Sequence, residues 1–276
     1  MLKTLRFRNV WTACHSTRMY TQKLTGIDLQ KEIKKMPHIR PIGQPPTVWK
    51  LIEKTAKDGK KMKFTIQEIP EDRYEDAVQH MCEFFLADEP TCQCLDAKND
   101  PVFVRDISTI WRLLLEEGIS IAAFIDNPNG GKPIIAGMNA LGVDHKDKKD
   151  SISSYQFKSD KCRTTFEIIA DATKVVYDRY GVDKYLYAIG LSVDSDYRGY
   201  GLGRDILKIR EQIGPMYGIP ATATAFTSII SQKSAAGAGF EEFTETKFAD
   251  VVDKNGKEIY PGIKSKSFKI MGKRLS

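Results

Sequence analysis

The stretch Leu191-Ser192-Val193-Asp194-Ser195-Asp196-Tyr197-Arg198-Gly199-Tyr200-Gly201-Leu202-Gly203-Arg204 constrains the fold more than any other part of the chain. An apolar run stops there, polar and aromatic residues follow, and a glycine-rich turn opens into an amphipathic helical pattern. Glycines spaced two apart leave their backbone N–H groups unshielded, and the first turn of a helix adds donors with no intrahelical partner. A strand, a glycine turn and a helix in that order make a socket for a diphosphate.

The details of the turn exclude two common sockets. A P-loop needs Gly-Lys-Ser/Thr after the glycines, whereas Gly203 is followed by Arg204-Asp205. A dinucleotide fingerprint needs glycine in place of Arg204 and an acidic ribose ligand about 20 residues on, where the chain instead reads Ala221-Thr222-Ala223-Thr224. The pattern that fits is R-x-x-G-x-G from Arg198 to Gly203, directly after a strand. It resembles the acyl-CoA pyrophosphate loop of the GCN5-related N-acetyltransferase (GNAT) superfamily. A glycine-rich turn that holds no ligand is the alternative reading of these six residues alone.

With 276 residues, the chain has enough length for one sizeable core plus an appendage. Charge is unevenly distributed. Residues 1–63 hold 15 Lys/Arg against 4 Asp/Glu, and the remainder holds 27 against 32. A mildly acidic main body argues against nucleic-acid binding and suits a cationic substrate such as an amine. No apolar run approaches the ~20 residues that cross a membrane, and no membrane partner is expected. The cysteines Cys14, Cys82, Cys92, Cys94 and Cys162 lack zinc-ligand spacing, so reduced thiols and no metal are expected. The first acidic residue is Asp28, preceded by Lys3, Arg6, Arg8, Arg18 and Lys23. Residues 1–20 therefore read either as a mitochondrial transit peptide, with cleavage near Arg18-Met19-Tyr20-Thr21, or as a plain basic extension. The expected compartment is mitochondrial or cytoplasmic accordingly.

Arg40-Pro41-Ile42-Gly43-Gln44-Pro45-Pro46 reads as an extended linker. The expected division is thus a basic extension and linker over 1–59 and one catalytic domain over 60–276. Periodicity predicts a strand at Phe64–Ile69 and a helix at Glu71–Leu86. A second helix is capped by Asp100-Pro101 and ended by Gly118, and strands follow at Ser120–Ile125 and Ile134–Leu141. Next come a solvated loop at His145–Asp150, a helix at Thr164–Tyr180, the strand Lys184–Val193 and the helix Gly201–Ile213. A strand at Pro220–Phe226, a short helix at Ile229–Ala238, and a tail with Phe243–Val252 and a last strand near Ser265–Met271 complete the chain. This order predicts a three-layer α/β/α arrangement on a mixed, mostly antiparallel sheet.

That order is similar to the acyl-CoA N-acyltransferase fold across residues ~60–276. Three stretches narrow the resemblance to the insect arylalkylamine N-acetyltransferases: Phe84-Phe85-Leu86-Ala87-Asp88-Glu89-Pro90, Leu191 through Gly203, and Phe226-Thr227-Ser228-Ile229-Ile230-Ser231-Gln232-Lys233 running to Ala238-Gly239-Phe240. The resemblance implies acetyl-CoA as co-substrate, bound by Leu191, Ser192, Val193, Arg198, Gly199, Tyr200, Gly201, Leu202, Gly203, Arg204 and Ser228. It implies no metal.

Glu89 stands as the candidate general base. An alkylammonium has no lone pair for attack on a thioester, and a carboxylate fixed in an extended backbone by Pro90 can remove its proton. The matching glutamate of the family holds that role; a solvated loop carboxylate is the alternative. Asp88 reads as a surface or helix-end charge. Ser228 and Ser231 are explained most simply as helix caps, while the resemblance turns serines of this helix start toward the cofactor sulfur. Many members of the superfamily protonate the departing thiolate with a tyrosine farther along, yet Ser234-Ala235-Ala236-Gly237-Ala238 has none, which leaves Ser231 or water as the relay. One functional serine of the insect branch aligns with Thr227. Leu191–Val193 would act through backbone groups, a nearby N–H stabilising the oxyanion, or would simply be a buried strand. Tyr177, Tyr180, Tyr185 and Tyr187, with Phe84 and Phe85, read as core, one or two of them lining an aryl pocket. His80 reads as structural.

The expected activity is transfer of an acetyl group from acetyl-CoA to the primary amine of a small arylalkylamine, in a ternary complex and without a covalent enzyme intermediate, by a monomer. Acylation of a protein or peptide amine, and non-catalytic CoA binding, are the two alternatives.

Overall fold

The computed structural model describes residues 36–56, 58–147, 152 and 155–275. The expected leader at 1–20 lies outside them, as does part of the His145–Asp150 loop. Eight strands form one sheet in the order β1-β2-β3-β4-β5-β6-β8-β7. They are β1 (Val48–Thr55), β2 (Lys61–Glu68), β3 (Ile121–Ile125), β4 (Ile134–His145), β5 (Lys184–Val193), β6 (Ala221–Phe226), β7 (Glu241–Lys247) and β8 (Ser267–Arg274). Every pairing is antiparallel except β5 with β6, which run parallel and meet only at Leu186↔Thr222. The mixed, mostly antiparallel sheet is the expected one.

The sheet begins twelve residues before the expected start at residue 60. Strand β1 pairs with β2 from Val48↔Gln67 to Thr55↔Lys61, but it is an edge strand whose residues are half-buried or exposed, so its apolar signal is weak. The proline-rich stretch is likewise part of the domain. Arg40 is 5% exposed and reaches Glu68 Oε2 at 3.4 Å, and the Thr47 N–H donates to the same oxygen at 2.9 Å. Tyr217 donates to Glu68 Oε1 at 2.7 Å, so a fully buried carboxylate anchors the supposed linker.

Nine α-helical segments complete the described part: α1 (Tyr74–His80), α2 (Leu86–Asp88), α3 (Pro90–Cys94), α4 (Pro101–Glu116), α5 (Asp160–Thr173), α6 (Val175–Tyr180), α7 (Leu202–Lys208), α8 (Arg210–Met216) and α9 (Ile229–Gly237). The α4 start follows its sequence signal: Asp100 accepts from the Val102 and Phe103 N–H groups at 3.0 and 3.1 Å, ahead of a first-turn proline. The helix expected at Glu71–Leu86 is not uniform, because α1 widens into a π turn at Met81–Phe85 before α2. The helix expected from Thr164 begins at Asp160, where Ser159 caps it, and divides at Lys174.

Strand alternation sorts side chains into two cores. Leu186 packs with Leu202, Ile206, Ile209 and Ile213 of α7–α8 and with Phe64, Ile66 and Ile121 on one face. Tyr185, Ala221 and Ala223 pack with Val176, Tyr177 and Tyr180 of α6 on the other. The four tyrosines thus fill the core on the α6 face, as expected. Helices on both faces give the three-layer arrangement.

Candidate active site

Strand β5 carries one residue more than β4 can match: Asn139 faces Leu191, but Leu141 faces Ala188. The extra residue makes a bulge at Ile189-Gly190. Its carbonyls are held by side chains, Trp111 Nε1 donating to Ile189 O at 2.9 Å and Asn139 Nδ2 to Gly190 O at 2.8 Å. Gly190 has φ +104°, and a Cβ there would stand 2.3 Å from Met81 Cε and 3.1 Å from Phe85 Cε2. The π turn Met81–Phe85 packs those two side chains into the space that glycine leaves, a wound-out turn of the kind that gathers at functional sites.

Beyond the bulge, β5 leaves β6. The Asp194 N–H donates to Ala136 O at 3.0 Å, and Ser192 lies opposite Met138. By antiparallel alternation Leu191 and Val193 therefore turn their backbone groups away from β4, toward a β6 that has already diverged. Arg198 Nε takes the Val193 carbonyl at 2.8 Å. The N–H groups of Leu191 and Val193 face the wedge between the two strands.

The glycine turn follows. Gly199 (φ +87°) and Gly201 (φ +73°) hold the left-handed backbone that side chains disfavour, and nothing lies within 4 Å of a Cβ built on Gly199. Gly201 opens α7, whose first helical bond runs from Asp205 N to Gly201 O at 3.1 Å, so the N–H groups of residues 202–204 precede it. Leu202 is in the core and offers only its backbone. Arg204 lies over Gly201, its Nη2 standing 3.3 Å from where a Cβ would be. The bare amides, the open space and this guanidinium fit a diphosphate.

Two cavities meet at this turn. One of about 690 Å³ runs along the wedge and is lined by Leu191, Ser192, Val193, Arg198, Gly199, Gly201, Leu202, Gly203, Ser228, Ser231 and Glu89. An adjoining open cleft of about 630 Å³ is lined by Tyr200 and Arg204 together with Lys54 and Lys233. All the candidate catalytic and cofactor-binding residues of the sequence therefore line one or the other of these two cavities. Lys54, from β1, pairs with Asp205, and the weak apolar pattern of β1 gives no sign of it in the sequence.

Glu89 is the turn residue between α2 and α3, held at ψ 127° ahead of Pro90. Its Oε2 caps α3, accepting from Cys92 N at 2.7 Å and Thr91 Oγ1 at 2.5 Å. Its Oε1 is buried and has no hydrogen-bond partner among the described residues. One oxygen fixes the carboxylate, and the other stays unpaired within the wall of the cavity that Glu89 lines. Asp88, next to it, pairs with Arg198 across 110 residues of chain. Arg198 is thereby tied to Asp88 and Val193 O, joining the Glu89 turn to the glycine turn instead of standing free for a phosphate.

Ser228 and Ser231 form a reciprocal capping box at the start of α9: Ser231 N donates to Ser228 Oγ at 3.1 Å, and Ser228 N to Ser231 Oγ at 3.2 Å. The Ser231 hydroxyl donates to Ser228 O at 2.8 Å, so its own proton is engaged. Cys92 lines the same cavity, and burial together with the Glu89 carboxylate pushes its thiol pKa well up, keeping it protonated at neutral pH. Burial lowers His80 to about 4, a neutral imidazole packed on Phe84 at 4.8 Å.

Several lining residues lay beyond sequence reasoning: Phe103, Phe166 and Ile169, which with Phe84 and Phe85 make an aromatic and aliphatic wall, and Asn139, Thr224 and Arg210 at the wedge. Among the described residues no group of His, Cys, Asp and Glu gathers to hold a metal ion, and no helix is long and apolar enough to cross a membrane.

Neither a family model nor a curated protein matches the chain. Solved structures do. One, from the yellow fever mosquito Aedes aegypti and assigned as arylalkylamine N-acetyltransferase 7, is 32% identical with TM-score 0.76, over 86% of this chain and 99% of that one. Arylalkylamine N-acetyltransferase 2 of the same mosquito is 24% identical with TM-score 0.63, over 77% and 99%. The Drosophila melanogaster polyamine N-acetyltransferase, which forms N-acetylagmatine, shares the fold at 16% identity and TM-score 0.63, over 77% and 100%. With about a third of its residues identical to the first of these along nearly that protein's whole length, the chain belongs to the insect arylalkylamine N-acetyltransferases of the GNAT superfamily and is an acyl-CoA-dependent amine N-acetyltransferase.

Proposed function

We propose that the chain acetylates a small primary arylalkylamine directly from acetyl-CoA, both substrates being bound together. The observation that carries this reading is the Glu89 carboxylate, which lines the cavity bordered by the glycine turn and the free β5 edge and keeps a buried Oε1 with no hydrogen-bond partner among the described residues. The CoA diphosphate lies on the amides of residues 199–203 beside Arg204, and its pantetheine arm follows the β5 edge into the wedge. The aromatic wall of Phe84, Phe85, Phe103 and Phe166 takes the aryl group, leaving the ammonium at Glu89.

Glu89 Oε1 accepts one proton from the alkylammonium, which frees the nitrogen lone pair. That pair forms the C–N bond while the thioester C=O π pair moves to oxygen, where the N–H groups of Leu191 and Val193 face it. Collapse of the oxyanion breaks the C–S bond and leaves a CoA thiolate. The second proton leaving nitrogen neutralises that thiolate through water or Ser231. Cys92 stays a thiol in this scheme and forms no acyl-enzyme.

The test is thiol release from acetyl-CoA with a panel of amines. Release with phenyl- and indole-ethylamines at catalytic rates, together with initial-rate patterns of a ternary complex, supports the proposal. Release only with peptide amines assigns the site to protein acetylation, and a ping-pong pattern overturns direct transfer.

A further inference from the structure

Arg210, at the start of α8, is fully buried and pairs with no carboxylate among the described residues. Its Nε and Nη2 both donate to Asn139 Oδ1, at 3.1 and 2.8 Å. Its Nη1 donates to Thr222 Oγ1 at 3.0 Å and to Thr224 Oγ1 at 2.9 Å. Its Cζ stands 5.6 Å from the centre of the Phe240 ring. Each of these partners is neutral, and burial lowers the guanidinium pKa.

A buried cation without a counter-charge costs several kcal/mol, and a hydrophobic replacement is often the more stable arrangement. The position of this one is specific. Asn139 is on β4, Thr222 and Thr224 are on β6, and between them β5 bulges and departs from β6. Arg210 therefore lies under the wedge, and it lines the cavity together with Asn139 and Thr224. Asn139 accepts from Arg210 with its oxygen and donates with its nitrogen to Gly190 O. This chain of donors pulls electron density from the Gly190–Leu191 peptide and strengthens its N–H as a donor into the wedge.

We propose that Arg210 is a positioning residue of the acyl-transfer step, an uncompensated cation that stabilises the negative charge formed on the thioester oxygen and sulfur, directly through space and through Asn139 and the Gly190–Leu191 peptide. The ground state is a neutral thioester and the charge exists only as the C–N bond forms and the C–S bond breaks, so a fixed cation there favours the transition state over the bound substrate. The missing counter-anion is a requirement of this role, because a carboxylate at the same place would cancel the field. The inference rests on the acyl-transfer reading above.

The experiment is a charge-only comparison, Thr224→Asp against Thr224→Asn, two side chains of one shape facing Arg210 Nη1. Aspartate pairs the buried cation, so Thr224→Asp melts at the same temperature as Thr224→Asn or higher. Its kcat falls about ten-fold or more below that of Thr224→Asn, while KM for acetyl-CoA stays within about three-fold. With CoA bound, the thiol ionises at higher pH in Thr224→Asp than in Thr224→Asn, followed by the ultraviolet absorbance of the thiolate. Equal kcat and equal thiol ionisation in the two variants overturn the proposal and leave Arg210 as a structural brace of the wedge. Failure of the acyl-transfer reading looks different, since the unmodified protein then neither binds CoA in calorimetry nor releases thiol with any amine. Should both Thr224 variants misfold, Arg210→Lys and Arg210→Met carry the comparison: lysine restores kcat relative to methionine if charge is what matters, and equal loss in both overturns it.

Discussion

The two halves of the cavity are built from different materials. The half assigned to acetyl-CoA is backbone: bare amides at 199–203, two left-handed glycines and a strand edge that has lost its neighbour. The half assigned to the amine is side chains: Glu89 on its turn, with Phe84, Phe85, Phe103 and Phe166 around it. Backbone recognises what all acyl-CoA donors share, and it tolerates sequence change except where φ or space demands glycine. Side chains recognise what differs among amines, so this half has no fixed spelling. The two halves should therefore fail differently when altered, one in donor binding or folding and the other in turnover or acceptor choice.

The sharpest separation comes from Glu89→Gln. Glutamine keeps an oxygen for the Cys92 N–H, so the α3 cap survives, but it accepts no proton. Loss of a general base lowers kcat by about 10²–10⁴-fold, and acetyl-CoA affinity measured by calorimetry stays within about three-fold. An unchanged kcat would place the base elsewhere and dissolve the distinction between the halves at its strongest point.

Gly190→Ala attacks the backbone half. A Cβ at φ +104°, 2.3 Å from Met81 Cε, forces strain and overpacking together. The expected loss in unfolding free energy is about 2–4 kcal/mol by denaturant titration. Adding Met81→Ala removes the closest clash but leaves the strained φ and empties a fully buried position, so the double variant stays less stable than wild type. Full wild-type stability in Gly190→Ala would mean that the bulge can move without cost, and the β5 edge would then be no fixed platform.

These contrasts also explain which parts of the structure were legible beforehand. Gly199 and Gly201 were readable because their conformations exclude other residues, and Asp100-Pro101 because capping is local. Strand β1 was not readable, since an edge strand with Val48 and Leu51 exposed has little alternation to detect. The π turn depends on the space left by Gly190, more than a hundred residues away in the chain, and nothing local in Met81–Phe85 announces it. Arg210 reads as an ordinary helix arginine, because its meaning comes from Asn139, 71 residues away, and from a strand divergence that no local pattern encodes. Glu89 is legible from its turn and its resemblance, but the division of labour between Oε1 and Oε2 depends on the folded α3.

Phe166→Ala tests the acceptor half for choice rather than rate. Phe166 lies on α5 in the aromatic wall and stacks on Phe157 at 4.9 Å. Truncation opens space where an aryl group would sit, and a contact of this size is worth about 1–3 kcal/mol, or about 10–200-fold in kcat/KM. The loss should fall on phenyl- and indole-ethylamines and spare short aliphatic amines, compared in one competition assay. Equal loss for both classes would move the aryl group away from this wall.

The smallest effect expected is that of Ser231→Ala, and it bears on whether α9 belongs to either half. The Ser231 side chain accepts from Ser228 N–H and donates to Ser228 O, so its deletion removes half of a capping box. That costs about 1 kcal/mol of stability, seen as a small fall in melting temperature. A helix cap and no more predicts kcat within about three-fold of wild type, with water neutralising the thiolate. A relay role predicts a larger fall in kcat, and one that shrinks when the departing thiol is made more acidic, since a better leaving group needs no proton. The hydroxyl already has a backbone carbonyl at 2.8 Å, so it must give up that bond to reach sulfur, and the geometry favours the cap.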